Sequence, residues 1–201
     1  MVWISQSGTV RARPVTFVIM NRSAADDARL TDLAFAAGRG DRAALEAFVR
    51  ATQRDVWCFL AHLADVGSAD DLAQETYLRA MRSLSRFEGR ASARTWLLSI
   101  ARRVAADRVR HERARPVSPV DVAAVDRPQR GRFEEVVELT VMLDDLAPER
   151  REALLLTQVL GLSYQETAEV CGCAVGTVRS RVARAREDLL GERRGRSEEA
   201  G

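Results

Sequence analysis

The sequence contains no lysine: all 31 of its basic residues are arginine, and 29 acidic residues bring the net charge to only +2. A mutational bias toward arginine codons accounts for the surface as a whole. Individual arginines can still serve in recognition, because the flat guanidinium fork suits phosphates and guanine edges better than an ammonium does.

Cysteine is scarce, and long apolar runs are absent. The three cysteines, Cys58, Cys171 and Cys173, are too few for a disulfide framework, so a reducing compartment fits. No apolar run is long enough to span a membrane. The first 20 residues resemble neither a secretory signal nor a transit peptide, and Met20 is an alternative start to Met1. We therefore expect a cytoplasmic protein without membrane insertion.

Strand patterns are missing too, because the apolar residues follow a helical period throughout, and we expect an all-α fold. Pro116, Pro119 and Pro128 stand in a stretch with few large apolar residues, which is typical of a flexible linker. The predicted units are a tail at residues 1–25, a small helical domain at 26–113, the linker at 114–132, a second small helical domain at 133–191 and a tail at 192–201.

Capping residues and breakers place the individual helices. Asp41 follows Gly40 and can cap the second helix, and Ser68 opens the third with acids in its first turn, where the helix dipole favours them. The predicted helices lie at about residues 26–37, 41–64, 68–84, 93–112, 133–146, 148–160, 163–170 and 175–190.

The stretch SYQETAEVCGCAVGTVRSRVARAR predicts a helix-turn-helix. Its first residue, Ser163, forms a capping box with Glu166. Gly172 stands where the turn can need a positive φ. Val178 and Val182, four residues apart, give the second helix an inward stripe, and the turn between the helices has the length that this motif uses.

The pair Cys171 and Cys173 has two interpretations, half of a metal site or the bend of this motif. A zinc site needs further ligands, and the other candidates are Cys58, His62 and His111, all in the first predicted domain. We therefore assign the two cysteines to the bend, with Cys171 as a small inward hydrophobe, and expect no metal or other cofactor.

The second helix of the motif carries four arginines and no acid between Ala174 and Arg186. A solvated charged helix is the alternative, since Glu187 and Asp188 extend the charge pattern. A basic helix without compensating acids, placed after such a bend, favours reading of the DNA major groove. The side chains expected to face outward are Arg179, Ser180 and Arg184, with Arg181 and Arg186 to the side.

The third helix presents a polar-rimmed leucine. Leu78 shares one side of the helix with Asp71, Gln74, Glu75 and Arg82, and this arrangement suggests a protein partner. A single exposed leucine without a function is the alternative. The other side is expected to be core: Leu72, Ala73, Thr76, Tyr77, Ala80, Met81 and Leu84.

The fourth helix and the loop before it are rich in arginine. Eight arginines lie from Arg90 to Arg115, against Asp107 and Glu112. Trp96 shares a side of the helix with one of them, and an aromatic beside basic residues suits a nucleic-acid backbone and an unstacked base. Burial of Trp96 against the second helix is an equally good interpretation.

These segments resemble a known family. SADDLAQETYLRAMRSLSRFEGRASARTWLLSIARRVAADRVR resembles region 2 of the ECF (extracytoplasmic-function) group of bacterial sigma factors. LAPERREALLLTQVLGLSYQETAEVCGCAVGTVRSRVARAREDLL resembles their region 4. The likeness covers about residues 26–190, with both regions in the right order and a linker between them.

The resemblance implies an alternative sigma factor that binds core RNA polymerase and directs promoter recognition and transcription initiation, without catalytic residues of its own. An anti-sigma factor is implied as a further partner. The residues implied to bind the β′ coiled coil of the polymerase are Asp71, Gln74, Glu75 and Leu78, while region 4 sits on the β flap. Those implied at the −10 promoter element are Arg90, Arg94, Trp96, Arg102, Arg103 and Arg110, and those at the −35 element are Arg179, Ser180, Ala183, Arg184 and Arg186.

The sequence departs from the family pattern in three places. Arg103 stands where asparagine is common, Ala183 where a bulky side chain occurs, and Ala174 where proline is frequent. The first departure leaves the −10 base preference open. A stand-alone helix-turn-helix regulator is the alternative function, but it would need a dimerisation or sensor domain, and the N-terminal half shows a partner face and an arginine surface instead.

Overall fold

The computed structural model describes residues 23–114, 143 and 145–199, and every regular element within them is helical. The prediction of an all-α fold is confirmed. The predicted linker beyond Ala114 and most of the predicted helix at 133–146 lie outside the described residues, as does the N-terminal tail up to Arg22. The helices are α1 (Ala24–Gly38), α2 (Arg42–Leu63), α3 (Ala69–Ser83), α4 (Ala93–Ala114), α5 (Pro148–Leu154), α6 (Tyr164–Cys171) and α7 (Val175–Glu199).

Two of the helix starts follow directly from side-chain capping. Ser23 Oγ accepts a hydrogen bond from Asp26 N at 3.2 Å, and Asp26 Oδ2 accepts one from Ser23 N at the same distance, which completes a capping box for α1. Asp41 Oδ1 accepts from Ala44 N at 3.0 Å, as predicted for α2. Ser68 makes no such side-chain bond at the start of α3.

Helices α1 to α4, which we call the N-terminal unit, enclose one apolar core. Phe48, Phe59, Leu60, Leu97 and Leu98 are its largest fully buried side chains, and each stabilises the fold by about 1.5–3 kcal/mol through burial. The expected core side of α3 is correct except at its edge, where one side chain is exposed.

That exception is Met81, which is 42% exposed, so the assignment of Met81 to the core was wrong. It lies one turn after Leu78, which is 38% exposed as expected. Because residues three apart are neighbours on a helix, the two form one apolar strip on the outer side of α3.

Helices α5 to α7, with Leu143 and Leu146, form the C-terminal unit. After α5 the chain continues as a π-helical segment, Leu155–Val159, in which Leu160 N donates to Leu155 O at 2.9 Å. The last helix runs to Glu199, well past the predicted end near residue 190. None of the helices in the described ranges is long and apolar enough to cross a lipid bilayer.

The two units pack against each other, which the sequence analysis, with its two small helical domains joined by a flexible linker, did not indicate. Helix α6 lies along α4, and Leu156, Leu160, Leu162 and Val170 of the C-terminal unit are buried in the same apolar cluster as the core of the N-terminal unit. We call this boundary the seam. Periodicity predicts that such residues are buried but does not indicate whether they are buried within one domain or between two.

Candidate nucleic-acid and polymerase interface

The helix-turn-helix has the predicted local geometry. Ser163 Oγ accepts from Glu166 N at 3.2 Å, and Glu166 Oε2 accepts from Ser163 N at 2.9 Å. Gly172 adopts φ +64° and ψ +39°, the left-handed conformation that ends α6, and Cys173 N donates to Ala168 O at 3.1 Å. The bend is therefore closed by backbone hydrogen bonds and a glycine, as the sequence predicts.

Helix α7 is fixed by its apolar side, because Val178, Val182 and Ala185 are fully buried against the rest of the C-terminal unit. Farther along, Arg150 Nη1 of α5 pairs with Asp188 Oδ2 at 2.6 Å. Asp188 is thus engaged across the unit rather than with the neighbouring arginines of α7. The opposite side is open: Arg179, Ser180, Ala183, Arg184 and Arg186 are all exposed.

The exposed side chains of α7 differ in how firmly they are held. Ser180 Oγ donates to Thr177 O at 2.9 Å, and Arg186 Nη2 donates to Gln158 Oε1 at 2.9 Å. Within the part of the chain that the structure describes, no ion pair forms with Arg179 or Arg184. Two unneutralised guanidinium groups therefore project from a rigid helix, an arrangement suited to an anionic partner.

The outer side of α3 combines the apolar strip of Leu78 and Met81 with polar groups. Asp71 and Gln74 are exposed beside it. Glu75 is half-buried, and its Oε1 accepts a hydrogen bond from Arg79 Nε at 2.7 Å. The residues that the sequence predicted for a partner face thus lie together on the outer side of α3, and Met81 extends their apolar part.

A charge network connects this face to α4. Arg79 Nη1 donates to Asp107 Oδ2 at 2.6 Å, and Arg110 Nη2 donates to the other oxygen of the same carboxylate. The bonds from Arg79 and then Arg110 hold the pKa of the Asp107 carboxyl below its usual range. Arg110, expected at the −10 element, is therefore exposed but engaged with a carboxylate.

The other residues expected at the −10 element are not equivalent. Arg90 is exposed and pairs with Glu88 at 2.6 Å, and Arg103 is exposed. Trp96 is half-buried, and its ring centroid lies 5.0 Å from that of Phe87 at a tilted angle. Trp96 thus belongs partly to the core and keeps one part of its ring accessible.

Arg102 lies at the seam. Its Nε donates to Glu152 Oε1 at 2.5 Å and its Nη2 to Glu152 Oε2 at 3.2 Å, in a two-point pair between the units. Thr95 Oγ1, about two helical turns earlier on α4, donates to Glu166 Oε1 of α6 at 3.4 Å. The C-terminal unit therefore covers the part of α4 that carries these two residues.

Arg94 does not lie where the sequence suggested. Its side chain is only 3% exposed, Nε pairs with Asp55 Oδ2 at 2.7 Å, and Nη2 donates to Leu160 O at 2.6 Å. Enclosed in this way, Arg94 cannot reach a nucleic acid, and the expectation that it binds the −10 element is corrected to a structural role at the seam. An acid on the buried side of α2, Asp55, was the sequence signal for such a partner.

The cysteines are buried or half-buried at the seam. No three His, Cys, Asp or Glu side chains of the described residues are grouped closely enough to hold a metal ion. Cys171 is buried, as expected, and Cys173 is half-buried at the bend. The structure brings Cys58 of α2 to the same seam, although the sequence placed it in a separate domain.

Comparisons with known proteins agree on one family. Residues 48–115 match the family model of Sigma-70 region 2, and residues 137–189 match that of Sigma-70, region 4. The chain is 57% identical over 178 residues to the ECF RNA polymerase sigma factor SigC of Mycobacterium tuberculosis and to the probable RNA polymerase sigma-C factor of Mycobacterium bovis. Each match covers 86% of this chain and 96% of the relative.

A solved structure supports the same assignment. The sigma factor RpoE of Bartonella quintana, determined in complex with the anti-sigma factor NepR, is 27% identical to this chain with a TM-score of 0.61. That match covers 73% of this chain and 94% of RpoE. With both family regions present in order and identity extending over nearly the whole length of two relatives, the chain belongs to the ECF group of bacterial sigma factors, which bind core RNA polymerase and direct it to promoters.

Proposed function

We propose that α7 reads the −35 element of the promoters that this sigma factor serves. The observation that carries the proposal is the open side of α7, where Arg179 and Arg184 project without ion-pair partners in the described structure. An arginine that grips a guanine edge with two hydrogen bonds discriminates against other bases by about 1–3 kcal/mol. Ser180 and Ala183 lie between the two arginines and set how closely α7 approaches the base edges.

Arg186 has a different role in this proposal. It lies farther along α7 and reaches back to Gln158, away from the other two arginines. A phosphate contact adds affinity evenly for all sequences and makes binding depend on salt. We assign Arg186 to the phosphate backbone.

The proposed polymerase contact is the outer side of α3, formed by Asp71, Gln74, Glu75 and Leu78 and seated on the β′ coiled coil. Its support is the exposed apolar strip with acids and an amide around it, which resembles the centre and rim of a protein interface. Because Glu75 is held by Arg79, its carboxylate is ordered before a partner arrives. The C-terminal unit, in the same proposal, rests on the β flap.

The proposed −10 surface consists of Arg90, Trp96, Arg102, Arg103 and Arg110. Arg90 and Arg103 are exposed and ready for phosphate or base contacts. Arg102 is paired with Glu152 of the other unit, so it becomes available only when the two units separate. Reading of the −10 element by the full set therefore requires an opening of the seam.

Further partners and location follow from this role. The proposal includes no catalytic residue in this chain, since the polymerase carries out the chemistry. A chain that acts with core polymerase on promoters works in the cytoplasm. The complex of B. quintana RpoE with NepR supports the proposal of an anti-sigma factor that binds this chain as well.

The experiment is transcription in vitro with core RNA polymerase, followed by mapping of the start sites. We expect defined starts downstream of a shared −35 and −10 pair, obtained only when the full chain and core enzyme are both present. Free protein that binds one DNA sequence tightly at physiological salt, without core polymerase and without directing a start, would instead indicate a stand-alone regulator.

A further inference from the structure

Two cysteines pack across the seam, each in an apolar cluster that includes residues of the other unit. Cys58 belongs to α2, yet its buried apolar cluster consists otherwise of C-terminal residues such as Leu154, Val159 and Val178. Cys171 belongs to α6, yet it is buried in the cluster built on the core of α1 to α4. Cys58 is therefore covered by the C-terminal unit, whereas Cys171 lies in a cluster to which both units contribute. Separation of the units would remove the cover of Cys58 and part of the cover of Cys171.

The third cysteine is a natural comparison. Cys173 is half-buried at the rim of the seam and packs against both apolar clusters. Its Sγ accepts a hydrogen bond from Arg181 Nη1 at 3.8 Å, within the C-terminal unit. Cys173 can thus meet a reagent while the units remain together, whereas Cys58 and Cys171, at 8% and 6% exposure, cannot.

We infer that Cys58 and Cys171 form a thiol-modification site that is gated by separation of the two units, with low-molecular-weight disulfides as the modifying class. The thiolate attacks one sulfur of the disulfide, a mixed disulfide forms on the protein, and the other sulfur leaves as a thiolate that takes up the proton lost by the cysteine. One protein thiol and one disulfide thus give one mixed disulfide and one small thiol.

The closed form protects both thiols in two ways. Burial denies access to the sulfur, and burial, as the main cause, raises the pKa of the Cys58 thiol to about 11 and that of Cys171 to about 12. Since the thiolate is the nucleophile, the raised pKa values and the lack of access both slow the reaction of these two residues while the seam is closed. Opening returns both thiols to water and removes this protection.

The added group acts on the conformational equilibrium. A small thiol attached to Cys58 would add several heavy atoms to the buried apolar cluster between α2 and the C-terminal unit, and a packed interior has few voids larger than a water molecule. The same holds for Cys171 against α4. The modified chain consequently remains open, and a reductant that removes the group allows the seam to close again.

This inference rests on the proposed function only in its consequence for transcription. An open chain no longer holds Arg102 against Glu152, so modification is expected to favour the form that reads the −10 element. Oxidative conditions would then increase the fraction of the protein that is in the open form, in which Arg102 is available for the −10 element. The gating itself can be tested without any polymerase.

The first experiment measures the rate of modification at each cysteine. The full chain is incubated with glutathione disulfide, and mixed disulfides at each site are quantified by peptide mass spectrometry. We expect Cys173 to react about tenfold or more faster than Cys58 and Cys171. Glu152→Gln, which weakens the pair with Arg102, should accelerate Cys58 and Cys171 several-fold and change the rate at Cys173, which is already partly accessible, much less.

Reaction through global unfolding must be separated from reaction through opening of the seam. In low urea, the rates at Cys58 and Cys171 should rise with a slope clearly smaller than the equilibrium unfolding slope, because separation exposes less surface than unfolding. Equal rates at all three cysteines, or a slope equal to that of unfolding, would overturn the gating.

The second experiment measures the shape and activity of the modified chain. Small-angle X-ray scattering should show a larger radius of gyration after modification, with helicity retained and the change reversed by dithiothreitol. Cys58→Ser combined with Cys171→Ser is the matched control, since it keeps Cys173 and should show no change in shape. An unchanged radius of gyration in the modified wild type would overturn the proposal.

Transcription then separates this inference from the proposed function. With core polymerase limiting, the modified chain should compete better than the unmodified chain at the same promoter. If the unmodified chain initiates normally and modification opens it without improving competition, the sigma function stands and the regulatory consequence fails. If neither form initiates at any promoter, the proposed function itself fails.

Discussion

Arg94 and Asp55 form an ion pair inside the protein, with 2.7 Å between Nε and Oδ2 and each side chain only 3% exposed. The two residues belong to α4 and α2, and Arg94 also donates to Leu160 O of the C-terminal unit. The Arg94 guanidinium group thus links α4 to α2 and to Leu160, which directly follows the π-helical segment of the C-terminal unit. Its removal should therefore affect both stability and the seam.

We predict that Arg94→Ala lowers the free energy of unfolding by about 3–5 kcal/mol, because it removes the guanidinium group that pairs with the buried Asp55 carboxylate. Urea denaturation followed by circular dichroism measures this change. Arg90→Ala is the matched control on an exposed pair and should change stability by no more than about 0.5 kcal/mol. Equal, small effects of the two substitutions would show that Arg94 is not buried as described.

Gly172→Ala tests the bend of the helix-turn-helix. A Cβ at Gly172 would meet nothing within 4 Å, so any cost arises from the positive φ alone. We expect a loss of about 1–2 kcal/mol, since a left-handed conformation is unfavourable for alanine. Gly176→Ala, in open space on α7, should instead be neutral or stabilising by up to about 1 kcal/mol. Equal effects in thermal or urea unfolding would contradict the assigned bend.

The outer side of α3 gives a prediction on binding. Leu78→Arg and Gln74→Arg should each leave helicity unchanged, because both side chains are exposed. Each should weaken association with core polymerase at least about tenfold, because the proposal places both residues at the centre of the interface. Competition with a labelled sigma factor for core enzyme measures this loss. Gln53→Arg, on an exposed position of α2, is the control. Unchanged competition by both α3 variants would place the contact elsewhere.

Met81→Arg extends the same test to a residue that the sequence analysis assigned to the core and that the structure shows exposed. Because Met81 is exposed beside Leu78, the substitution should be tolerated by the fold and should reduce competition for core enzyme. A large loss of helicity would instead return Met81 to the core, where the sequence placed it.

Local features were predicted well from the sequence. The capping box of Ser163 and Glu166, the left-handed Gly172 and the inward Val178 and Val182 depend on neighbours within a few residues, and each was found as expected. The exposed side of α7 follows from the same pattern. Met81 was assigned to the wrong side because it lies at the boundary between the buried and exposed sides of α3. At such a boundary, helical periodicity does not distinguish a buried position from an exposed one.

The seam could not be predicted in this way. Asp55 and Arg94 are 39 residues apart, and Arg102 and Glu152 are 50 apart. Periodicity shows that a position is buried, yet it does not identify the partner on another element. An acid among apolar residues of α2 indicates that a buried cation is required, and only the fold shows that Arg94 supplies it.

The most direct test of the account is transcription from a library with a randomised −35 element. Core polymerase is combined with the wild type or with one of four variants: Arg179→Ala, Arg184→Ala, Ser180→Ala and Arg186→Ala. We predict that both arginine variants lower transcription and that at least one relaxes the preference at a defined base, because a lost two-point guanine contact removes about 1–3 kcal/mol of discrimination. Ser180→Ala should cost less, about 1 kcal/mol for one neutral hydrogen bond. Arg186→Ala should change salt dependence and leave base preference intact. Identical preferred sequences for the wild type and all variants would contradict the assignment of α7 as the helix that reads the promoter.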